Sequence, residues 1–181
     1  MERHGVLVAA LWVAGCGSAL AAAGANLWLD VPFVRQPKQG CGDASIAMVM
    51  QYWQQQLHLP AAASADAAAI LRALPPGRHG VNAARMVSYF EQHNYRAFAY
   101  AGDWSDMEQQ LAKGRPLIVA LKPEGDADLH YVVVAGVDDP DDVVLVNDPA
   151  QRKLLKEARA QFEHEWKATG NWTLLAVPEL K

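Results

Sequence analysis

Cysteine is almost missing from this chain, with two in 181 residues, at positions 16 and 41. That scarcity excludes a disulfide-stapled scaffold, and a chain of this length can bury a core without staples. Excess charge of one sign is missing too. The formal net charge is −4 and no Lys/Arg cluster is long enough to form a basic stripe, so nothing supports nucleic-acid binding. Beyond the N-terminus no apolar run reaches the ~18 residues that a membrane span needs. No internal repeat is visible. No Cys/His group has zinc spacing, so neither a metal nor a cofactor is expected. What is present, 51% hydrophobic and 20% charged residues, is the composition of one ordinary globular domain.

The first residues read as a targeting segment. MERHG is a short, weakly basic lead, and VLVAALWVAG is an apolar run of secretory length. It ends in Val13-Ala14-Gly15-Cys16, which fits a bacterial lipobox, the signal for attaching lipid to the cysteine. Ordinary cleavage further on is the competing reading, because Ala19-Leu20-Ala21 fits the small-x-small rule. The lipobox divides the chain into a signal peptide (1–15), a lipid-anchored tether (16–26) and a folded body (27–181). It makes the protein an exported, membrane-anchored lipoprotein held at Cys16; the alternative is a soluble secreted or periplasmic protein. Either way Cys16 is modified or removed, which leaves Cys41 without a disulfide partner. An unpaired cysteine in an exported protein is a candidate reactive thiol.

Its surroundings agree. Cys41 is followed by small residues, Gly42, Ala44 and Ser45, and then by Ile46, Ala47, Met48, Val49 and Met50. This predicts a helix from Cys41 to about Gln55, apolar on nearly all sides and therefore enclosed. The first turn of a helix leaves backbone N–H groups unpaired, and with the helix dipole these favour thiolate over thiol. Gln36, five residues upstream, can bring its amide beside the cysteine N–H, giving two donors for an oxyanion. The plain alternative is a buried cysteine acting as a small hydrophobe.

Along the rest of the chain, Leu27–Phe33 reads as extended. Ser64 caps a predicted helix over 65–74 that stops at Pro75-Pro76-Gly77. A second helix is predicted over Asn82–His93, followed by a strand at Tyr95–Tyr100. Ser105 to Glu108 fits a capping box opening a helix at Asp106–Lys113. Strands follow at Pro116–Leu121 and Leu129–Val137, the latter turning at Asp138–Asp142 into a hairpin strand at Val143–Val146. An amphipathic helix over Arg152–Lys167 and a last strand over Trp172–Val177 complete the pattern. Helices first and strands last is the α+β order.

A nucleophile needs a base. His58, His93 and His164 fall at polar or helix-end positions, and His79 sits in a glycine-bounded turn. His130 differs, standing at the mouth of a buried strand just after an acidic loop. Asn147-Asp148-Pro149 ends the hairpin partner, so a carboxylate there could hold one ring nitrogen and aim the other at the cysteine. Core packing for the histidine and turn chemistry for Asp-Pro are the bland alternatives.

Taken together, Gln36…Cys41-Gly42…Ala44, then Leu129-His130-Tyr131-Val132-Val133-Val134…Gly136, then Val146-Asn147-Asp148-Pro149, resemble the papain-like bacteriocin-processing peptidase family. The resemblance covers about 30–177. It implies a papain-like α+β fold, a buried helix carrying the cysteine being packed on an antiparallel sheet that carries the histidine and aspartate. It further implies Cys41 as nucleophile, His130 as base, Asp148 as orienting group and Gln36 in the oxyanion hole. Transporter-linked members cut leader peptides after a double glycine; this chain shows no transport helices or nucleotide-binding domain, so that substrate does not carry over. Two departures stand beside the cysteine: Gly40 where an aspartate is frequent, and Asp43 where a small residue or proline is usual. An acid two residues from a thiolate should oppose it. The expectation is a thiol peptidase working through an acyl-thioester on a peptide or protein. The rivals are a cysteine amidase or acyltransferase on a non-peptide substrate, and a peptide-binding module without turnover.

Overall fold

The computed structural model describes residues 26–37, 39–77, 80–125 and 127–179. The expected signal peptide, Cys16 and His79 fall outside the described residues. Among those described, no helix is long and apolar enough to cross a membrane.

Helix α1 (Cys41–Gln56) is the buried centrepiece, with eleven of its first twelve residues buried. Its enclosure explains why a nearly all-round apolar sequence is stable there. Behind it stands an antiparallel sheet of β1 (Asn26–Trp28), β2 (Tyr95–Ala101), β3 (Leu117–Leu121), β4 (His130–Asp138), β5 (Val143–Asn147), β6 (Leu155–Ala158) and β7 (Trp172–Pro178). The strand order is β2-β7-β3-β4-β5-β6, with β1 pairing β4 off that path. Strand β4 is the hub: its first half pairs β3, its second half pairs β1, and β5 runs along its other side. The changeover falls at a bulge between Val134 and Gly136. Only glycine fits there, because a Cβ at 136 would lie 2.4 Å from the Leu27 carbonyl oxygen.

Alternation along the buried strands splits the core in two. Ile118, Ala120, Tyr131 and Val133 pack with α1 and with α3 (Ala83–Gln92); Leu117, Val119, Val132 and Val134 pack with Phe162 and Trp166 on the opposite face. The fold is α+β, as its element order implies.

Three local expectations are corrected. The helix expected from Ser64 is a short 3₁₀ turn (Ala63–Ala65) followed by α2 (Ala67–Ala73), capped by Asp66, whose carboxylate accepts from Ala69 N. The Ser64 carbonyl accepts the Tyr89 hydroxyl instead. Helix α4 (Trp104–Ala112) starts two residues earlier than the capping box suggests, because Asp103 is the cap and accepts from Asp106 N. The stretch 152–167 is not one helix: Leu155–Ala158 completes the sheet as β6, and α5 (Arg159–Lys167) begins only after it. Pairing with β5 satisfies backbone groups that a helical turn would have closed internally, and tertiary context overrides the helical spacing.

Candidate active site

Gly40, the N-cap of α1, has no side chain to offer the helix, so the Cys41 end of α1 keeps its unpaired N–H groups. A Cβ at Gly40 would meet the Pro37 ring at 2.7 Å, which explains why no aspartate stands there. At Gly42 a Cβ would meet Val81 Cγ1 at 2.1 Å, so the cysteine's neighbour must also be bare. One turn further, Ser45 Oγ donates to the Tyr131 carbonyl at 3.3 Å. This bond docks the helix that carries Cys41 onto β4 one residue past His130.

His130 Nε2 donates to Asp148 Oδ1 at 2.9 Å. Cys41 is the other side chain that acts on the ring, raising its pKa alongside Asp148. With Nε2 committed to Asp148, Nδ1 is the ring atom left for sulfur. The imidazole keeps 22% of its side-chain surface open and Asp148 only 4%, so the ring is reachable from solvent while its carboxylate is not. Burial pulls the His130 pKa down. The side-chain interactions with Asp148 and Cys41 and the charges of both outweigh it, pushing the ring up to about 10. Asp148 shows the reverse balance: burial would raise its pKa, but the His130 bond and charge, the Ala150 N–H and the Gln151 amide hold it below the usual value. Those last two donors lie at 2.8 and 2.7 Å.

Gln36, Gln39, Cys41, Gly80, Leu129 and His130 line one cavity of about 320 Å³, together with Ala127 and Asp128. The structure therefore brings Gln36, Cys41 and His130 to one opening, with Asp148 bonded behind the histidine. Gln36 Oε1 is buried with no hydrogen-bond partner among the described residues. Gln39 holds φ of 60°, a left-handed conformation that a glutamine adopts only under constraint. A larger cavity of about 710 Å³ lies toward the far end of α1, among Met50, Leu57, Leu59, Tyr95 and Pro178. It contains neither Cys41 nor His130, so volume alone does not locate the chemistry. His93, which lines that larger cavity, bonds the Tyr89 carbonyl through Nδ1 and stacks on the Tyr89 ring; His58 and His164 are exposed.

Several residues that hold the site together were not anticipated. Asn147 is fully buried: Nδ2 donates to the Val31 carbonyl at 3.1 Å and Oδ1 accepts from Leu154 N at 2.9 Å. Its amide is spent on the backbone and does not reach His130. Truncating it to alanine would leave buried backbone groups unpaired. Gln36 N donates to the Pro149 carbonyl at 3.0 Å, and Arg35 donates to the Ala150 and Gln151 carbonyls. These bonds strap the segment 31–36 onto the turn 148–151 and fix Gln36 relative to the His130–Asp148 pair. An unpaired cation next to a candidate oxyanion residue was the one available signal for Arg35.

Two further carboxylates flank the site. Asp43 is 0% exposed and, among the described residues, neither oxygen has a hydrogen-bond partner. Burial pushes its pKa up to about 6, against the opposing charge of Arg85. Arg85 cannot bond it, because its guanidinium is engaged with the Pro75 and Ala73 carbonyls. Glu157, on β6, is raised to about 7 by burial and by the charges of Glu165 and Asp148, His130 acting the other way. It is an electrostatic neighbour of the histidine–aspartate pair that no local motif announces.

The Peptidase_C39 like family model matches residues 28–174. Among solved structures, a protein provisionally described as a C39-like peptidase from Bacillus anthracis is similar, with a TM-score of 0.69 at 19% identity, over 87% of this chain and 100% of that one. A double glycine motif protease from an AMS/PCAT transporter, solved in complex with a leader peptide, gives 0.65 at 20% identity, over 86% and 100%. The peptidase domain of Streptococcus ComA, a bi-functional ABC transporter involved in a quorum sensing pathway, gives 0.62 at 20% identity, over 82% and 98%. Among curated proteins, none matches the chain.

Proposed function

Since the chain belongs to the C39-like peptidase family, a family of cysteine peptidases, we propose that it hydrolyses a peptide bond with Cys41 as nucleophile and His130 as acid and base. What carries this reading is the Asp148–His130 hydrogen bond together with the placement of His130, Cys41 and Gln36 around one cavity. A ring with a pKa of about 10 holds its proton at neutral pH, the partner that a thiolate nucleophile on Cys41 requires. The thiolate attacks the scissile carbonyl carbon. The C–S bond forms, and the electron pair moves onto oxygen, where the Gln36 amide and the Cys41 backbone N–H stabilise it. The His130 proton then goes to the departing amine as the C–N bond breaks, leaving an acyl-thioester on Cys41. Water attacks the thioester carbon and gives one proton to His130; the C–S bond then breaks, its electron pair returns to sulfur as the Cys41 thiolate, and the carboxylic acid leaves. Asp148 orients the ring and offsets its charge throughout.

The peptide substrate draws support from the similar protease held with a leader peptide. A thiol-directed peptidyl electrophile should label Cys41 at one equivalent, and peptides cut by the purified protein, identified by mass spectrometry, should stay whole with Cys41→Ala. Equal cutting by that variant would remove the nucleophile assignment.

The N-terminal part of the proposal is export and anchoring through a lipidated Cys16, resting on Val13-Ala14-Gly15-Cys16. Mass analysis should find a mature chain that starts at a diacylated cysteine and partitions with membranes. An unmodified start near Ala22 replaces the anchor with ordinary secretion.

A further inference from the structure

The sheet ends in two unlike edges. At one end, β6 is four residues long and carries Lys156 and Glu157 at its centre. Short, charged edge strands are a usual guard against the addition of another strand. At the other end, β2 is seven residues long, YRAFAYA, with no proline and with Arg96 its single charge. All seven residues pair β7, from Tyr95 opposite Pro178 to Ala101 opposite Trp172. Among the described residues no strand pairs the other side of β2. Helix α3 covers its Tyr95 end, but the rest is bare: Ala99 and Ala101 are exposed, and Phe98 leaves 51% of its surface uncovered. This edge lacks the guards found on the opposite one.

We propose that β2 is a homodimer interface, in which the β2 strands of two copies pair antiparallel about a two-fold axis through Phe98. Phe98 is the middle residue of β2, so an axis there pairs all seven residues, and a shifted axis leaves some unpaired. The same register brings Phe98 against Phe98 at the centre, covering the exposed ring. It sets Arg96 opposite Tyr100 of the second copy, and Ala97 opposite Ala99. Arg96 is available for this: its side chain is 69% exposed and keeps only a 3.9 Å contact with Glu179. The Tyr100 hydroxyl donates to Asp106 Oδ2 at 2.5 Å, so the incoming guanidinium meets an aromatic face backed by a carboxylate. Symmetry makes that contact twice. Alanines 97, 99 and 101 put no bulk on the other face. Self-complementary charge, length and register thus select a second copy of this chain as the occupant.

The test is a set of cross-links in the full-length chain carrying Cys41→Ala, oxidised with copper phenanthroline. Phe98→Cys should give a covalent dimer about tenfold above the parent lacking the added cysteine. Arg96→Cys should give none alone but should link when mixed with Tyr100→Cys, which only the proposed register allows. Phe98→Lys, with two like charges on the axis, should weaken dimerisation in sedimentation velocity at least about tenfold while leaving the circular dichroism spectrum unchanged. A wild-type chain that sediments as a monomer at roughly 100 μM overturns the proposal, as does Phe98→Cys linking no better than Glu157→Cys on β6. A monomeric chain whose β2 amides become protected from exchange when a peptide substrate is added also overturns it, and gives the edge to substrate.

Discussion

Asp148 and Asp43 are both nearly inaccessible, 3% and 0% exposed, and each lies close in sequence or space to a reactive side chain. Their environments nevertheless drive them in opposite directions. Asp148 receives three hydrogen bonds, from His130, Ala150 N and Gln151, and its pKa is lowered despite burial. Asp43 receives none from the described residues, faces an arginine that is occupied elsewhere, and rises to about 6. Burial therefore does not decide whether a carboxylate is a useful charge; the count of donors aimed at it does. The hairpin turn is built to keep a charge, and the first turn of α1 is built in a way that discourages one. Below about pH 6 Asp43 is neutral, and above it the carboxylate carries its charge two residues from the sulfur.

The strongest way to break this contrast is to empty the better-served position. Asp148→Ala leaves three donors facing a hole and should cost about 3 kcal/mol of stability. It should also lower kcat at least roughly tenfold, about 1.4 kcal/mol of barrier. The ring's raised pKa should collapse with it. In the wild type the stabilisation from His130 is present in full below its ordinary 6.5 and is lost as pH rises through about 10. The variant should lack that alkaline loss in urea titrations. Asn147→Ala should destabilise too but reduce kcat less; the opposite ranking of the two kcat values would move the orienting role to Asn147.

Next comes the position with no donors. Between the ordinary 3.8 and about 6, folded Asp43 holds a proton that the unfolded chain has lost, so stability falls as pH rises through that window. The loss is on the order of 2 kcal/mol. Asp43→Asn should remove it, which denaturation midpoints at about pH 4 and pH 7 would show. Identical pH slopes for the two proteins would mean that Asp43 is better solvated than its burial indicates.

The smallest effect sharpens the comparison by removing a single donor. Gln151→Leu deletes the 2.7 Å amide bond to Asp148 and should cost about 1 kcal/mol of stability. Its kcat should fall less than that of Asp148→Ala, because His130 and Ala150 still hold the carboxylate. A loss equal to that of Asp148→Ala, read in the same assay, would mean that Gln151 contacts substrate.

Much of the architecture was legible because it is local. An apolar run opening at a cysteine with small neighbours marks α1 to within a residue, and the β-branched run 131–134 with its acidic turn marks the β4–β5 hairpin. The contrast with 152–167 is instructive. Its apolar spacing suits a helix, but four of its sixteen residues are claimed by the edge of β5, a partner that a local window does not contain. Caps failed for a milder reason: Asp103 and Asp66 outcompete nearby serines for the same N–H groups. At the candidate site the four motif residues are gathered by long-range contacts that their types suggest. In the strap, Arg35 and Gln151 are not motif residues, nor is the neighbouring Glu157, and Asn147 is a motif residue whose motif does not disclose its backbone bonds. They matter through backbone carbonyls and distant charge, which sequence does not display.

That strap also has a consequence in time. Arg35 and the carbonyl it grips at Ala150 are 115 residues apart in the chain. A growing polypeptide presents its cysteine helix early, but the turn that aligns the histidine and anchors Gln36 emerges only after most of the molecule has been made. Closing so long a loop depends on the sheet between having already formed. Until then the thiol stands beside no aligned base, and a half-made copy is chemically quiet.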